Sequence, residues 1–169
     1  MTTSLYDFTV PAFARALTSL SRQLDKAHAR AVQKKTDFKA FAETRLIADM
    51  LPLTAQIQIA SDNAKGAVAR LTGIDAPKFE DNETTYEELQ ARIAKTLDFI
   101  NSVTPEQFVG AESRQVVLKF PSLTLSFLGQ DYVTKFALPN FYFHATMAYA
   151  LMRKNGVELG KPDFIGDIQ

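Results

Sequence analysis

The sequence predicts an all-α protein, an up-and-down bundle of four main helices with a small β-hairpin inserted before the last of them. Three observations carry that reading. Apolar residues recur at spacings of three and four through most of the first hundred positions, the period of a helix with one buried face. From Arg114 to Leu128 the period shortens to two, the mark of paired strands. Between Tyr132 and Lys154, Phe136, Phe141, Tyr142, Phe143 and Tyr149 crowd several sides of a helical segment, as in a helix packed deep among others.

The first helix is expected near residues 5–32, with Phe13, Leu17, Leu20, Leu24, Ala27 and Ala31 as its buried stripe. Pro11 lacks an amide donor, so the helix should start or restart near Val10. Arg22, Lys26 and Arg30 follow one another at spacing four, then Lys34 and Lys35; such a run is ordinarily a solvated face. His28, among them, reads as an exposed helix residue.

The second helix, near 41–72, repeats the stripe in Leu46, Met50, Leu53, Ile57, Ala60, Ala64, Ala67 and Leu71, and Gly73 closes it as a C-terminal cap. A proline in a regular helix interior costs about 3 kcal/mol, so Pro52 calls for a kink or a fresh start at Met50 to Leu51. Thr85 and Glu88 stand in capping-box spacing at the head of a third helix, 85–103, whose edge is Leu89, Ile93, Leu97 and Ile100. Thr104-Pro105-Glu106-Gln107 marks no more than a short helical turn. The hairpin is expected at 115–128, with Val116, Leu118 and Phe120 alternating on one strand, Leu123, Leu125 and Phe127 on the other, and Pro121-Ser122 between them. Asp131 then offers an N-cap for the last helix, 131–155, which is interrupted near Pro139 and closed by Asn155-Gly156. The tail, 157–169, should wrap the surface.

A chain of 169 residues fits one domain, 1–169, with a core large enough to need no disulfide or structural metal. Nineteen acidic and nineteen basic side chains cancel, which removes the field that would draw nucleic acid or an anionic membrane. With no cysteine there is no thiol nucleophile, no thiolate ligand and no disulfide, in keeping with a reducing compartment. No basic segment leads into an apolar stretch and no apolar run approaches bilayer length, so a cytoplasmic protein without membrane or nucleic-acid partners is expected. Glycine-rich phosphate loops, nucleophile elbows and His-Glu-x-x-His zinc motifs are all missing.

The two histidines differ in setting. His144 stands in Asn140-Phe141-Tyr142-Phe143-His144, one helical turn after Asn140, so both side chains point the same way, and Met147 and Leu151 continue that face inward. On the second helix Asp49, Gln56 and Asn63 recur every seven residues. This polar seam, turned toward the bundle, would meet Asn140 and His144 in an interior polar site. Asp49, Gln56, Asn140 and His144 are therefore the candidate pocket residues. Two readings of them stand open: a hydrogen-bonded core network, and a site for a small ligand.

The closing pattern His144-x-x-x-x-Tyr149-x-x-x-Arg153-x-Asn155-Gly156, after a hairpin and three helices, resembles the DinB/YfiT superfamily. Leu46-Ile47-Ala48-Asp49-Met50-x-Pro52 and Leu138-Pro139-Asn140-Phe141-Tyr142-Phe143-His144 resemble more closely a bacterial domain-of-unknown-function family placed near it. The resemblance implies a four-helix bundle, often a homodimer, in which many members hold a divalent metal through one histidine of the second helix and a His-x-x-x-His pair of the last. Some members are thiol-dependent transferases or isomerases. Here His144 matches the second histidine of that pair, Asn140 stands where the first would be, and the second helix offers only Asp49 or Gln56. An amide and a carboxamide or carboxylate in place of two imidazoles weaken zinc or nickel binding severely. The expectation is thus a degenerate metal site with no cofactor, in a dimer that binds a small ligand or is purely structural. The alternative is a metal- or thiol-dependent enzyme with a weakly held divalent cation on His144, Asn140 and Asp49.

Overall fold

The computed structural model describes residues 4–167, so the last two residues of the expected surface tail lie outside it. Helix α1 runs unbroken from Leu5 to Gln33. Its start precedes Pro11 because the Ser4 amide donates to the Asp7 carboxylate at 2.9 Å, and the one hydrogen bond that Pro11 removes falls between two exposed residues, Asp7 and Pro11. A short helix, α2 (Phe38–Ala42), is capped by the Asp37 side chain on the Lys39 amide and buries Phe38 and Phe41. Helix α3 begins only at Leu53 and ends at Thr72, with Pro52 as its N-cap and Gly73 in the left-handed region at φ +82°. The expected helix over 43–52 is replaced by turns, since proline forces the residue before it out of the helical region. Leu46 is therefore exposed and Met50 half-buried rather than on the core stripe.

Helix α4 (Tyr86–Asn101) opens on the expected capping box: Glu88 accepts from the Thr84 and Thr85 amides, and Thr85 Oγ1 accepts from the Glu88 amide. Two 3-10 turns, Pro105–Phe108 and Ala111–Ser113, lead into strands β1 (Gln115–Lys119) and β2 (Thr124–Leu128), antiparallel with Val116 opposite Phe127 and Leu118 opposite Leu125. The chain then turns at once into α5 (Gly129–Tyr132), ahead of the expected cap at Asp131, which pairs instead with Lys135. A π turn (Val133–Ala137) and α6 (Leu138–Lys154) follow without a break. Pro139 cannot donate to the helical ladder, and the Leu138 amide reaches back five residues to the Val133 carbonyl, so the widened turn absorbs the proline that was expected to interrupt the helix. Helix α7 (Lys161–Ile165) packs on α1, where Lys26 pairs with Asp163 and Gln23 donates to the Asp163 carbonyl. The basic face of α1 is thus partly covered.

Four long helices, α1, α3, α4 and α6, enclose the core formed by Phe13, Leu17, Leu20, Leu24, Ile57, Ala64, Leu71, Ile93, Phe141 and Leu151. Their directions differ from the simple up-and-down order. The C-terminal part of α1 lies beside the start of α4, where Tyr86 and Gln90 both donate to Asp25. Helix α2, which follows α1, lies beside the start of α3, where Thr54 donates to the Ala42 carbonyl. The end of α6 is there too, with Lys34 on the Asn155 carbonyl and Asn155 on Thr44. Helices α3 and α4 therefore run parallel, both opposed to α1 and α6. Short loops enforce antiparallel neighbours, but the Gly73–Thr85 connection is not short: its extended reach of about 40 Å exceeds the roughly 30 Å length of the 20-residue α3. It runs back along α3 and restarts the chain at the same end.

Candidate ligand-binding site

The facing sides of α3 and α6 carry a polar seam. Gln56 is buried, its Nε2 donating to the Leu51 carbonyl at 3.1 Å. That bond turns its Oε1 toward His144, 2.7 Å from the ring Nδ1. An amide oxygen only accepts, so Nδ1 carries the proton and Nε2 the lone pair. Burial pushes the His144 pKa below the ordinary histidine value, which keeps the ring neutral. Met147 is half-buried and Leu151 fully buried along the same helix.

One heptad along α3, Asn63 is nine-tenths buried, and its carboxamide oxygen has no hydrogen-bond partner among the described residues. Asn63 and Asn140 line the same cleft of about 270 Å³ between α3, the π turn and the hairpin. A heptad further, Arg70 borders this cleft and donates to Tyr132 Oη at 3.2 Å. Burial raises the Tyr132 pKa, with Arg70 working against it, so the hydroxyl keeps its proton. The apolar wall is Ile59, Val117, Phe120 and Phe136, with the Phe120 and Phe136 ring centres 6.3 Å apart and the Tyr132 and Phe136 rings stacked at 6.1 Å. Lys119 stands on the hairpin side and Asp62 on the α3 side.

Of the four residues expected to form the pocket, the structure joins Gln56 to His144, places Asn140 in the adjoining cleft and sends Asp49 elsewhere. Asp49 is exposed in the 43–52 turns, because the heptad that would carry it inward stops at Pro52. His28 is also corrected: it is half-buried, stacked on Tyr86 with ring centres 4.2 Å apart and close to Phe38. Arg70 was legible as the next step of the series 56, 63, 70. Lys119, Tyr132 and Phe136 had no such signal, since the hairpin and π turn bring them in.

The donor set does not match a tight metal site. Among the described residues no three of His, Cys, Asp or Glu converge. The nearby polar groups on α3 and α6 are carboxamides, weak ligands for zinc or nickel.

A second polar cluster was invisible to spacing arguments. Arg92 is fully buried and pairs with Asp62, Asp81 and Glu83 at 2.7–2.8 Å, while one of its nitrogens also donates to the Gln58 carbonyl. Burial works to raise the Glu83 pKa, yet hydrogen bonds from Arg92 and Gln58 hold it below the ordinary carboxylate value. Lys65 pairs with Asp62 and lies over the Phe79 ring. These contacts fasten the long Gly73–Thr85 connection to α3 and α4.

Comparison with known proteins agrees with the fold. A family model described as a domain of unknown function, DUF1993, matches residues 5–165. The crystal structure of a DinB family member protein from Shewanella denitrificans is 41% identical with a TM-score of 0.89, the match covering 97% of this chain and 93% of that one. Among curated proteins none matches.

Proposed function

The chain belongs to the DUF1993 family, related to DinB-like proteins, and from its cleft we propose that it is a small-ligand-binding homodimer framed by a DinB-like four-helix bundle. One observation carries the ligand reading: the Asn63 carboxamide oxygen is buried at the cleft without a partner. Leaving a buried polar atom unpaired costs about 1–3 kcal/mol, a cost that a bound molecule or water engaging this side chain offsets. Asn140 adds a second carboxamide, and the aromatic wall supplies apolar area, the usual make-up of a small-molecule pocket.

The same donor chemistry supports a degenerate metal site, with Gln56 and His144 holding one another in place of a cation. Elemental analysis of the purified protein should find well under one zinc or nickel ion per chain, and a tightly held ion at about one per chain would favour the metalloenzyme. The ligand reading is tested by ¹⁵N spectra of the side-chain amides during a fragment screen. Fragments that bind should shift the Asn63 and Asn140 signals together, and hits that leave both unmoved would place binding outside the cleft. Self-association rests on Leu46, Ile47, Leu51 and Phe143, apolar side chains that are each roughly half or more exposed. A second copy of the chain is the occupant proposed for this apolar surface, since a two-fold pairing lets one patch cover itself.

A further inference from the structure

Building on the ligand reading, we propose that the cleft selects small organic anions, an aromatic or apolar body ending in a carboxylate, with Arg70 and Lys119 as its anion clamp. Three charged side chains border the cleft: Asp62, Arg70 and Lys119. Asp62 is engaged by Lys65 at 2.9 Å and by Arg92 at 2.8 Å, the latter shared with Asp81 and Glu83. Arg70 and Lys119 have no carboxylate partner among the described residues. The cleft therefore carries two cations outside any ion pair among the described residues, one on α3 and one on β1.

Geometry narrows the ligand further. Arg70 is held by its hydrogen bond to Tyr132 Oη, which leaves its other N–H groups for a planar acceptor; a guanidinium fork matches a carboxylate in two parallel bonds. Beside that fork stand the stacked Tyr132 and Phe136 rings, with Phe120 next to Phe136, a lining suited to a flat apolar body. Asn63 and Asn140 at the cleft wall offer a donor and an acceptor each, which adds polar selection along the body. A cationic ligand would meet these two positive charges, and a purely apolar one would leave the carboxamides and the guanidinium unmatched.

Calorimetric titration of the full-length chain with phenylacetate, phenylacetamide and phenethylamine, in low-salt buffer at neutral pH, decides the matter. Phenylacetate should bind at least about tenfold more tightly than its neutral amide, as expected for charge-assisted hydrogen bonds, and phenethylamine should bind least. Replacing both cations, Arg70→Gln with Lys119→Gln, should erase the preference for the acid by weakening phenylacetate far more than phenylacetamide. Both positions are solvent-exposed, so the fold should persist, as an unchanged far-ultraviolet spectrum would verify. Equal affinity for acid and amide, or an acid preference that survives the double replacement, would overturn the anion clamp and leave the pocket standing. Failure of all three probes to bind would overturn the pocket as well.

Discussion

At the scale of single residues, His144 couples stability to pH. Its folded-state pKa lies below the unfolded value because burial disfavours the imidazolium. Between those two values the unfolded chain binds more protons than the native one, so stability is complete above the unfolded value near 6.5 and falls as pH drops below it. Urea unfolding at pH 7.5 and pH 5.5 should show this loss, and in His144→Gln the difference should shrink. An equal slope in both proteins would assign the effect to other groups. At fixed neutral pH, His144→Ala should cost on the order of 1–3 kcal/mol, because Gln56 Oε1 loses the His144 donor and stays buried. A loss confined to ligand binding, with stability intact, would instead make the histidine a ligand contact and remove its structural role.

Elements make a different demand, which is that the chain pass where no side chain fits. At Gly129, where β2 turns into α5, an added Cβ would lie 1.8 Å from the Ala111 carbonyl oxygen and 2.9 Å from its carbon. Backbone cannot swing aside as a long side chain does, so Gly129→Ala should displace the hairpin from the Ala111–Ser113 turn. Overpacking of this kind costs about 1–3 kcal/mol, and thermal unfolding that matches the parent chain would contradict the contact. The Gly73–Thr85 connection depends on Arg92. Breaking a buried ion pair from one side costs about 3–5 kcal/mol, and since Asp62 and Asp81 keep access to water, Arg92→Met should fall near about 3 kcal/mol. Denaturant unfolding showing a loss under about 1 kcal/mol would reduce the cluster to a surface network.

What the sequence discloses about these elements follows their range. The α4 capping box, the Gly73 cap and the hairpin are set by residues within a few positions of each other, and Thr85, Glu88 and the alternation through Val116 and Leu118 were sufficient to place them. Gln56, Asn140 and His144 were legible because helical period puts them on facing sides. The structure departs from that seam at Asp49, where Pro52 breaks the period. Arg92 escaped for the opposite reason. On a helix surface it reads as one more solvated cation, and only the returning loop, with Asp81 and Glu83, encloses it.

For the whole molecule, the parallel run of α3 and α4 brings the ends of α1 and α6 and the starts of α3 and α4 to one pole, and the 43–52 turns close that pole. Lys154 of α6 donates to the Arg45 and Leu46 carbonyls, while the Leu51 carbonyl joins Gln56 and through it His144, the neighbour of Phe143. These contacts fix the backbone at Leu46 and Leu51, and the side chains of Leu46, Ile47, Leu51 and Phe143 are exposed. Contiguous exposed apolar surface marks an association face, and a two-fold pairing lets one patch cover itself. If two copies meet here, sedimentation equilibrium at tens of micromolar should give twice the chain mass, and the melting temperature should rise with protein concentration. Charges at the patch should reverse both behaviours: Ile47→Asp with Phe143→Asp should sediment as a single chain whose melting point no longer depends on concentration, with helical content retained because both positions are solvent-facing. A parent chain that sediments as a monomer across that range would remove the dimer. A dimer that survives both charges would move the interface to another face.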